Sequence, residues 1–262
     1  MDKLYIVIPA YNEEANIETV IKEWYEVIAE RSEDSRLVVI DDGSKDSTYA
    51  IMQKLAEQYP KFIPLTKPNG GHGATVLYGY RYALDAGADY VFQTDSDGQT
   101  RPAEFAQFWE KRADYHMVIG HRKGRQDGFS RVIVTKTLKL VCLLCFHVRV
   151  KDANTPFRIM QAKYLEKNLE VIPENYNLPN VVLSVLYAKK KEPVLYIPIT
   201  FRPRQGGVNS INMKKIFKIG KQAWKDFREI NRCIKRSMKA EKEEQAAKKA
   251  AKEASKDSAQ QK

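Results

Sequence analysis

Short runs of β-forming apolar residues alternate with stretches of helical periodicity through the first half of the chain, and this alternation constrains the fold most. The runs are Leu4–Ile8, Arg36–Ile40, Phe62–Leu65 and Tyr90–Thr94, with a fifth at His116–Gly120. Between them lie helical patterns over about 15–31, 47–58 and 73–86, and a further helix before the fifth run. Strands apolar on both faces must be covered on both faces, and strands joined through helices run parallel with right-handed crossovers. The expected class is therefore α/β, a mostly parallel, doubly wound sheet.

Such sheets bind ligands beyond the carboxyl ends of their strands. Three polar clusters fall there: Asn12-Glu13-Glu14 after the first strand, Asp41-Asp42-Gly43-Ser44 after the second, and Asp95-Ser96-Asp97-Gly98-Gln99 after the fourth. All three should converge on one rim. Past residue 120 the pattern changes. Residues 131–150 read as a strongly apolar helix and 194–201 as a late strand. Over 213–236, apolar residues at offsets of three and four (Ile216, Phe217, Ala223, Trp224, Phe227, Ile230, Ile234) define one helical face, with Lys and Arg on the rest. Residues 239–262 are rich in Ala, Lys, Glu and Gln, lack large apolar side chains and are expected to be mobile.

The net charge of +11 invites a nucleic-acid reading, but its distribution argues otherwise. Residues 1–201 hold 26 Lys/Arg and 26 Asp/Glu, whereas 202–262 hold 18 against 7, a difference equal to the whole excess. The body is neutral, and only the tail seeks an anionic partner, a membrane surface or nucleic acid, unless it is simply a solvated helix. Three cysteines make no disulfide framework and point to a reducing cytosol. Cys142 and Cys145 sit in an apolar run without a second pair to complete a zinc site, so they read as buried helix residues. Charges interrupt the first twenty positions, so no signal peptide is expected, and no apolar stretch nears the ~20 residues of a membrane span.

Asp95-x-Asp97-x-Gln99 is the sharpest chemical feature. Alternate positions just past a strand end can aim oxygens at one point, which suits a hard divalent cation such as Mg²⁺ or Mn²⁺ bridging a diphosphate; the same residues also make ordinary turns. Asp41-Asp42-Gly43-Ser44 reads as a strand-to-helix turn with Ser47 as N-cap, or as a contact to a base or ribose. Asn69-Gly70-Gly71-His72-Gly73 precedes a helix and would let backbone approach a ligand closely. The third glycine position of a dinucleotide fingerprint is Val76, which argues against an NAD site. A basic series of Arg122, Lys123, Arg125, Arg131, Arg158, Arg202 and Arg204 offers forks for phosphate, or only solvated surface.

Taken in order, Ile8-Pro9-Ala10-Tyr11-Asn12-Glu13, Ile40-Asp41-Asp42-Gly43-Ser44, Asn69-x-Gly71-x-Gly73, Asp95-x-Asp97-x-Gln99, Gly120-x-Arg122 and Arg204-x-x-Gly207 resemble the family-two inverting glycosyltransferases of GT-A fold. Within that family the resemblance is to the polyprenyl-phosphate, dolichol-phosphate mannose synthase-like branch, and it covers about residues 3–210. It implies a GT-A nucleotide-sugar-binding domain over 1–210, followed by a basic amphipathic helix over 211–238 and the tail over 239–262. It implies that Pro9, Tyr11 and Glu13 border the nucleoside and that Asp41 or Asp42 contacts base or ribose. Asp95, Asp97 and Gln99 would hold the metal, Arg122 and Arg131 the acceptor phosphate, and Arg204 the donor diphosphate. Thr135 is a looser match to a Ser of that branch, and 131–150 matches its membrane-facing region.

The expected reaction is a single in-line displacement from a nucleotide-diphosphate sugar to a membrane-associated acceptor. A hydroxyl acceptor needs a carboxylate base, for which Glu174 is the candidate, whereas an anionic phosphate needs none. The absence of a clear Glu-Asp pair and of Gln-x-x-Arg-Trp favours polyprenyl phosphate. Transfer to a sugar hydroxyl in cell-surface polysaccharide synthesis is the alternative, and a non-catalytic nucleotide- or nucleic-acid-binding module ranks third. The expected location is cytoplasmic, at the inner face of the membrane. Whether the basic helix lies on lipid or packs on the domain stays open at this stage.

Overall fold

The structure, a computed structural model, describes residues 2–122, 129–202, 224, 226–240 and 243, with side chains at all of these but 122 and 129–137. Seven strands form one sheet: β1 (Leu4–Ala10), β2 (Arg36–Asp41), β3 (Phe62–Thr66), β4 (Tyr90–Gln93), β5 (Met117–Arg122), β6 (Arg158–Gln161) and β7 (Val194–Ile199). Their spatial order is β3-β2-β1-β4-β6-β5-β7. All neighbours are parallel except β6, which runs antiparallel between β4 and β5. The mostly parallel α/β sheet expected from sequence is present. The chain winds outward from β1 to β3 and then crosses to β4 on the other side of β1, so the switch point lies between β1 and β4.

The pleat divides the strands between two cores. Leu4, Ile6 and Ile8 of β1, with Leu37, Val39 and Phe92, face α1 (Ile17–Ala29), α2 (Thr48–Ala56) and α4 (Phe105–Lys111). Tyr5, Val7, Val38, Ile40 and Val91 face the other layer, which holds α3 (His72–Asp85), α5 (Phe129–Phe146), α6 (Ala162–Leu169) and α7 (Pro179–Lys189). Every β1 residue is buried, which is why the strand shows no polar alternation. On the first face, Trp24, Phe105 and Phe157 surround Phe92 with ring centroids 5.2, 5.0 and 4.8 Å away. Such pairs contribute about 0.5–1.5 kcal/mol each beyond area burial, and they anchor the strand that delivers Asp95. On the second face α3 lies very close to the sheet. A Cβ on Gly79 would stand 2.4 Å from Val7 Cγ1, so only glycine fits there.

Three local expectations are corrected. No strand is expected around Arg158, yet the segment contains β6, too short and too polar at its ends to show a period. The helix expected to reach Val150 ends at Phe146, where His147 turns left-handed with φ 58°. Ser47 occupies the N-cap of α2 but makes no side-chain cap bond; the Thr48 N–H is instead taken by Asp46 Oδ1, and the Ser47 N–H by Glu14. Cys142 and Cys145 are buried as read, and burial pushes the Cys142 thiol up to about 12, far from a reactive thiolate.

Of the basic helix expected over 211–238, the described stretch 226–240 is helical and shows where its own apolar residues lie. Phe227, Ile230 and Ile234 are 0%, 2% and 0% exposed within the second core. Phe227 meets Phe146 of α5 at 5.2 Å, and Asn231 donates to the Cys145 carbonyl at 2.7 Å. From Phe227 on, the apolar face packs on the domain and leaves Arg228, Arg232, Lys235 and Arg236 exposed, while Trp224 is 39% exposed; Ile216, Phe217 and Ala223, and nearly all of the tail expected over 239–262, lie outside the described residues. No described helix is long and apolar enough to cross a membrane.

Candidate active site

At the switch point, beyond the ends of β1, β2 and β4, opens a cleft of about 380 Å³ lined by Pro9, Ala10, Tyr11, Glu13, Asp42, Asn69, Gly71, His72, Thr75, Asp95, Ser96 and Asp97. The volume is that of a small-molecule site. All three polar clusters and the glycine-rich loop meet here, as the parallel topology requires.

The loops after β1 and β2 brace one another. Asn12 donates its N–H to Ser44 Oγ and accepts from the Lys45 N–H, while Glu13 N–H bonds Thr48 Oγ1. This fixes Tyr11, 43% exposed, at the lip of the cleft with its ring available for stacking. Glu13 turns back to accept from Asn16 at the start of α1.

Asp41 and Asp42 are both buried, with different partners. Asp41 closes the turn by accepting from Ser44 N–H and Thr66 Oγ1, and it does not line the cleft. Asp42 lines it, but its carboxylate accepts from Lys67 Nζ and from the N–H groups of Gly70 and Gly71. Burial pushes this carboxyl up, yet the donors from Lys67, Gly70 and Thr75 outweigh it and hold it below the usual carboxylate range. In this structure Asp42 shapes the glycine-rich loop. That loop delivers the N-terminus of α3, whose first-turn N–H groups lack intrahelical acceptors, into the cleft.

Gly71 and Gly73 of that loop act differently from one another. Gly71, at φ 85°, allows the turn into α3. Gly73 makes room for protein rather than ligand: a Cβ there would lie 2.3 Å from the Tyr176 carbonyl oxygen and 2.5 Å from that of Asn177.

Asp95 and Asp97 stand on the cleft wall, Asp95 within 3.1 Å of His72 Nε2. Partial burial lowers the His72 pKa, but Asp95, then Asp42 and Asp97, overcome this and raise it. Among the described residues no three His, Cys, Asp or Glu side chains form a complete cation cage. Two carboxylates beside a helix N-terminus fit a hard cation that takes its remaining ligands from a bound diphosphate and water, the usual arrangement for Mg²⁺. Gln99 points elsewhere. Its backbone N–H bonds Asp97 Oδ1, and its side-chain amide donates to the Arg202 carbonyl, while Arg202 N–H bonds the Gln99 carbonyl. This two-way clasp ties the Asp95–Gln99 loop to the segment after β7.

Two arginines of the basic series are committed to the fold. Arg202 pairs with Glu23 at 2.8 Å. Arg158, expected on a phosphate-facing surface, is fully buried, because β6 runs through the sheet and turns the side chain toward α7. There it donates to the carbonyls of Ala153, Thr155 and Asn180. The Tyr80 hydroxyl, between Gln93 Oε1 and Asn180 Oδ1, extends this network to the end of β4. Sequence reasoning missed it, and only the pairing of Arg158 with a distant Asn180 could have revealed it. Arg122 ends β5 beside Ile199 at the rim, and Arg131 and Thr135 fall in α5. The side chains of Arg122, Arg131 and Thr135, and all of Lys123, Arg125, Arg204 and Gly207, lie outside the described residues. Glu174 is exposed and does not line the cleft.

The profile described as "Glycosyl transferase family 2" matches residues 5–171. Among similar proteins, the polyprenol monophosphomannose synthase of Mycolicibacterium smegmatis is 24% identical over 80% of this chain and 82% of its own. The UDP-N-acetylglucosamine–dolichyl-phosphate N-acetylglucosaminyltransferase of Methanococcus voltae is 31% identical over 52% of this chain and 58% of its own. Among solved structures, glucosyl-3-phosphoglycerate synthase from Mycobacterium tuberculosis, with Mn²⁺, UDP-glucose and phosphoglyceric acid, superposes with a TM-score of 0.61 at 18% identity, covering 84% of this chain and 77% of the other.

Proposed function

This chain belongs to glycosyl transferase family 2, and from that membership and its cleft we propose that it transfers a sugar from a nucleotide-diphosphate sugar to a polyprenyl phosphate with inversion. The observation that carries the reading is the convergence of Tyr11, the α3 N-terminus, Asp95 and Asp97 on one cleft at the switch point. The names of the two sequence relatives, both transferases to lipid phosphates, support the acceptor class.

Tyr11 and Pro9 border the nucleoside, and Asp42 holds the glycine-rich loop against it. The N–H groups of the α3 first turn receive the diphosphate. Asp95 and Asp97 hold a Mg²⁺ or Mn²⁺ ion, with Gln99 fixing their loop. When bound, that ion neutralises the charge that develops on the departing diphosphate. An acceptor phosphate oxygen forms the new bond to the anomeric carbon as the bond to the donor β-phosphate breaks, its electron pair leaving with the nucleoside diphosphate. The attacking oxygen is already anionic, so no general base is required, in keeping with a cleft that Glu174 does not line. Arg122, at the end of β5, and Arg131, in the first turn of α5, receive the acceptor phosphate, and Arg204 the donor diphosphate.

Further along α5, Leu140, Leu143 and Leu144 are 54%, 38% and 53% exposed on one face. At 1.5 Å per residue they stand roughly 13–20 Å along the helix from Arg131, a separation suited to phosphate at one end and lipid at the other. Peripheral contact of this stripe with a bilayer follows from the same reading. Purified protein with UDP- or GDP-sugars, Mn²⁺ or Mg²⁺ and polyprenyl phosphate should yield an organic-extractable glycolipid, and Asp97→Ala should lower the rate at least about 10²-fold. Full activity in that variant, or transfer only to sugar hydroxyls, would overturn the proposal.

A further inference from the structure

His72 has no place in the motifs that mark the family resemblance, yet its side chain meets one of the two carboxylates on the cleft wall. It is the first residue of α3, and its backbone is pinned from both directions. Gly70 and Gly71 N–H groups bond Asp42 on one side, and the helix begins on the other, with Thr75 N–H bonding the Gly71 carbonyl. Its imidazole is 55% exposed, so packing does not explain its orientation. What fixes the ring is Asp95: Nε2 stands 3.1 Å from Oδ1. A carboxylate has no proton to donate, so Nε2 carries the hydrogen. Among the described residues, His72 is the side chain that the Asp95 carboxylate bonds.

We infer that His72 is a positioning residue for the metal-binding carboxylate: by holding Asp95 Oδ1 it fixes the side-chain rotamer in which Oδ2 would be left to bind the ion. This rests on the reading of the cleft as a metal–nucleotide site. A carboxylate attached to a strand end rotates freely about its last bond, and a donor from a rigid helix start removes that freedom. Hydrogen-bond partners behind a metal ligand typically account for 10- to 100-fold in metal affinity. An exposed His–Asp pair without such a role would contribute almost nothing.

The experiment is calorimetric titration of Mn²⁺ into the full chain with saturating UDP, for wild type, His72→Ala and His72→Gln. His72→Ala should weaken Mn²⁺ binding by about 10- to 100-fold. His72→Gln, whose amide N–H replaces Nε2–H, should recover most of it. UDP affinity in EDTA and the melting temperature should be alike in all three. Unchanged or tighter Mn²⁺ binding in His72→Ala overturns the inference, as does a glutamine variant no better than alanine. A wild-type chain that takes up no Mn²⁺ overturns the metal reading of the cleft and this inference with it.

Discussion

Replacing Arg158 by lysine tests how the acceptor side of the rim is held together. The guanidinium is fully buried and makes five hydrogen bonds: Nε and Nη2 to the Thr155 carbonyl at 2.9 and 2.6 Å, Nη2 to that of Ala153 at 3.3 Å, and Nη1 to the Asn180 carbonyl at 3.1 Å and Ser184 Oγ at 3.4 Å. Among the described residues no carboxylate forms a salt bridge with it; Asp152 acts on the charge without bonding it, so these oxygens are its hydrogen-bonded solvation. Deleting the charge has an ambiguous sign, because relief from burying an ion offsets the lost bonds. Lysine removes that ambiguity. It keeps the charge in the same place, but its ammonium offers at most three donors from a single point. At least two charge-assisted bonds are lost, each contributing roughly 1.5–3 kcal/mol. The 3.4 Å bond is weak, so the low end of the sum applies, about 3 kcal/mol. For a chain of this size that lowers the melting temperature by about 6–12 °C. Thermal unfolding of Arg158→Lys, read beside Arg158→Met, measures it. A lysine variant within about 1 kcal/mol of wild type would refute the reasoning, because two carbonyl-bearing segments could then be joined without the fork.

The other two predictions concern the first turn of α3 and the exposed helix face. Gly73→Ala places a methyl 2.3 Å from a backbone oxygen, so the segment around Tyr176 must retreat by about 1 Å; overpacking of this kind costs about 1–3 kcal/mol and should weaken UDP binding. Unchanged melting and unchanged UDP affinity would show that this segment does not brace α3. Leu140→Ser with Leu144→Ser removes only the buried half of each side chain and should lower the melting temperature by no more than about 4–8 °C, leaving the fold intact. Burying the remaining half of each side chain in lipid is worth about 1 kcal/mol, so cosedimentation with anionic vesicles should weaken about thirtyfold. Wild-type sedimentation of the double variant would remove this stripe from the membrane reading.

Much of the donor side was legible because its information is local. β1, β2 and β4 are runs of apolar residues that end in polar clusters, and parallel topology alone brings Tyr11, Asp42 and Asp95 to one edge. Their side-chain partners were not legible, because those depend on loops meeting across the rim. Asp42 turns inward to Lys67 and the glycine loop, 25 to 29 residues away. Gly73 serves a contact with Tyr176, which no local pattern encodes. β6 escaped notice for a related reason. A four-residue strand ending in Arg and Gln has no readable period, and its antiparallel place between β4 and β5 follows from tertiary packing.

The basic series shows how residue type alone misleads. Seven cations in a polar, turn-rich context all resemble phosphate ligands in sequence, because an exposed arginine and a buried one differ only in what surrounds them. The structure commits Arg158 to the Asn180 and Thr155 carbonyls and Arg202 to Glu23. Both commitments serve the rim. Arg158 ties α7 to β6 and, through Asn180 and Tyr80, to the end of β4, while the Arg202 backbone clasps Gln99 beside Asp97. The proposed acceptor phosphate is therefore left to the remaining members of the series. Of these, Arg122 and Arg131 occupy backbone positions at the end of β5 and in the first turn of α5, the helix whose exposed leucines lie beyond them. On the proposed reading, a phosphate received there would leave its lipid chain to run along α5, so what favours a lipid acceptor is the spacing along one helix rather than any single arginine.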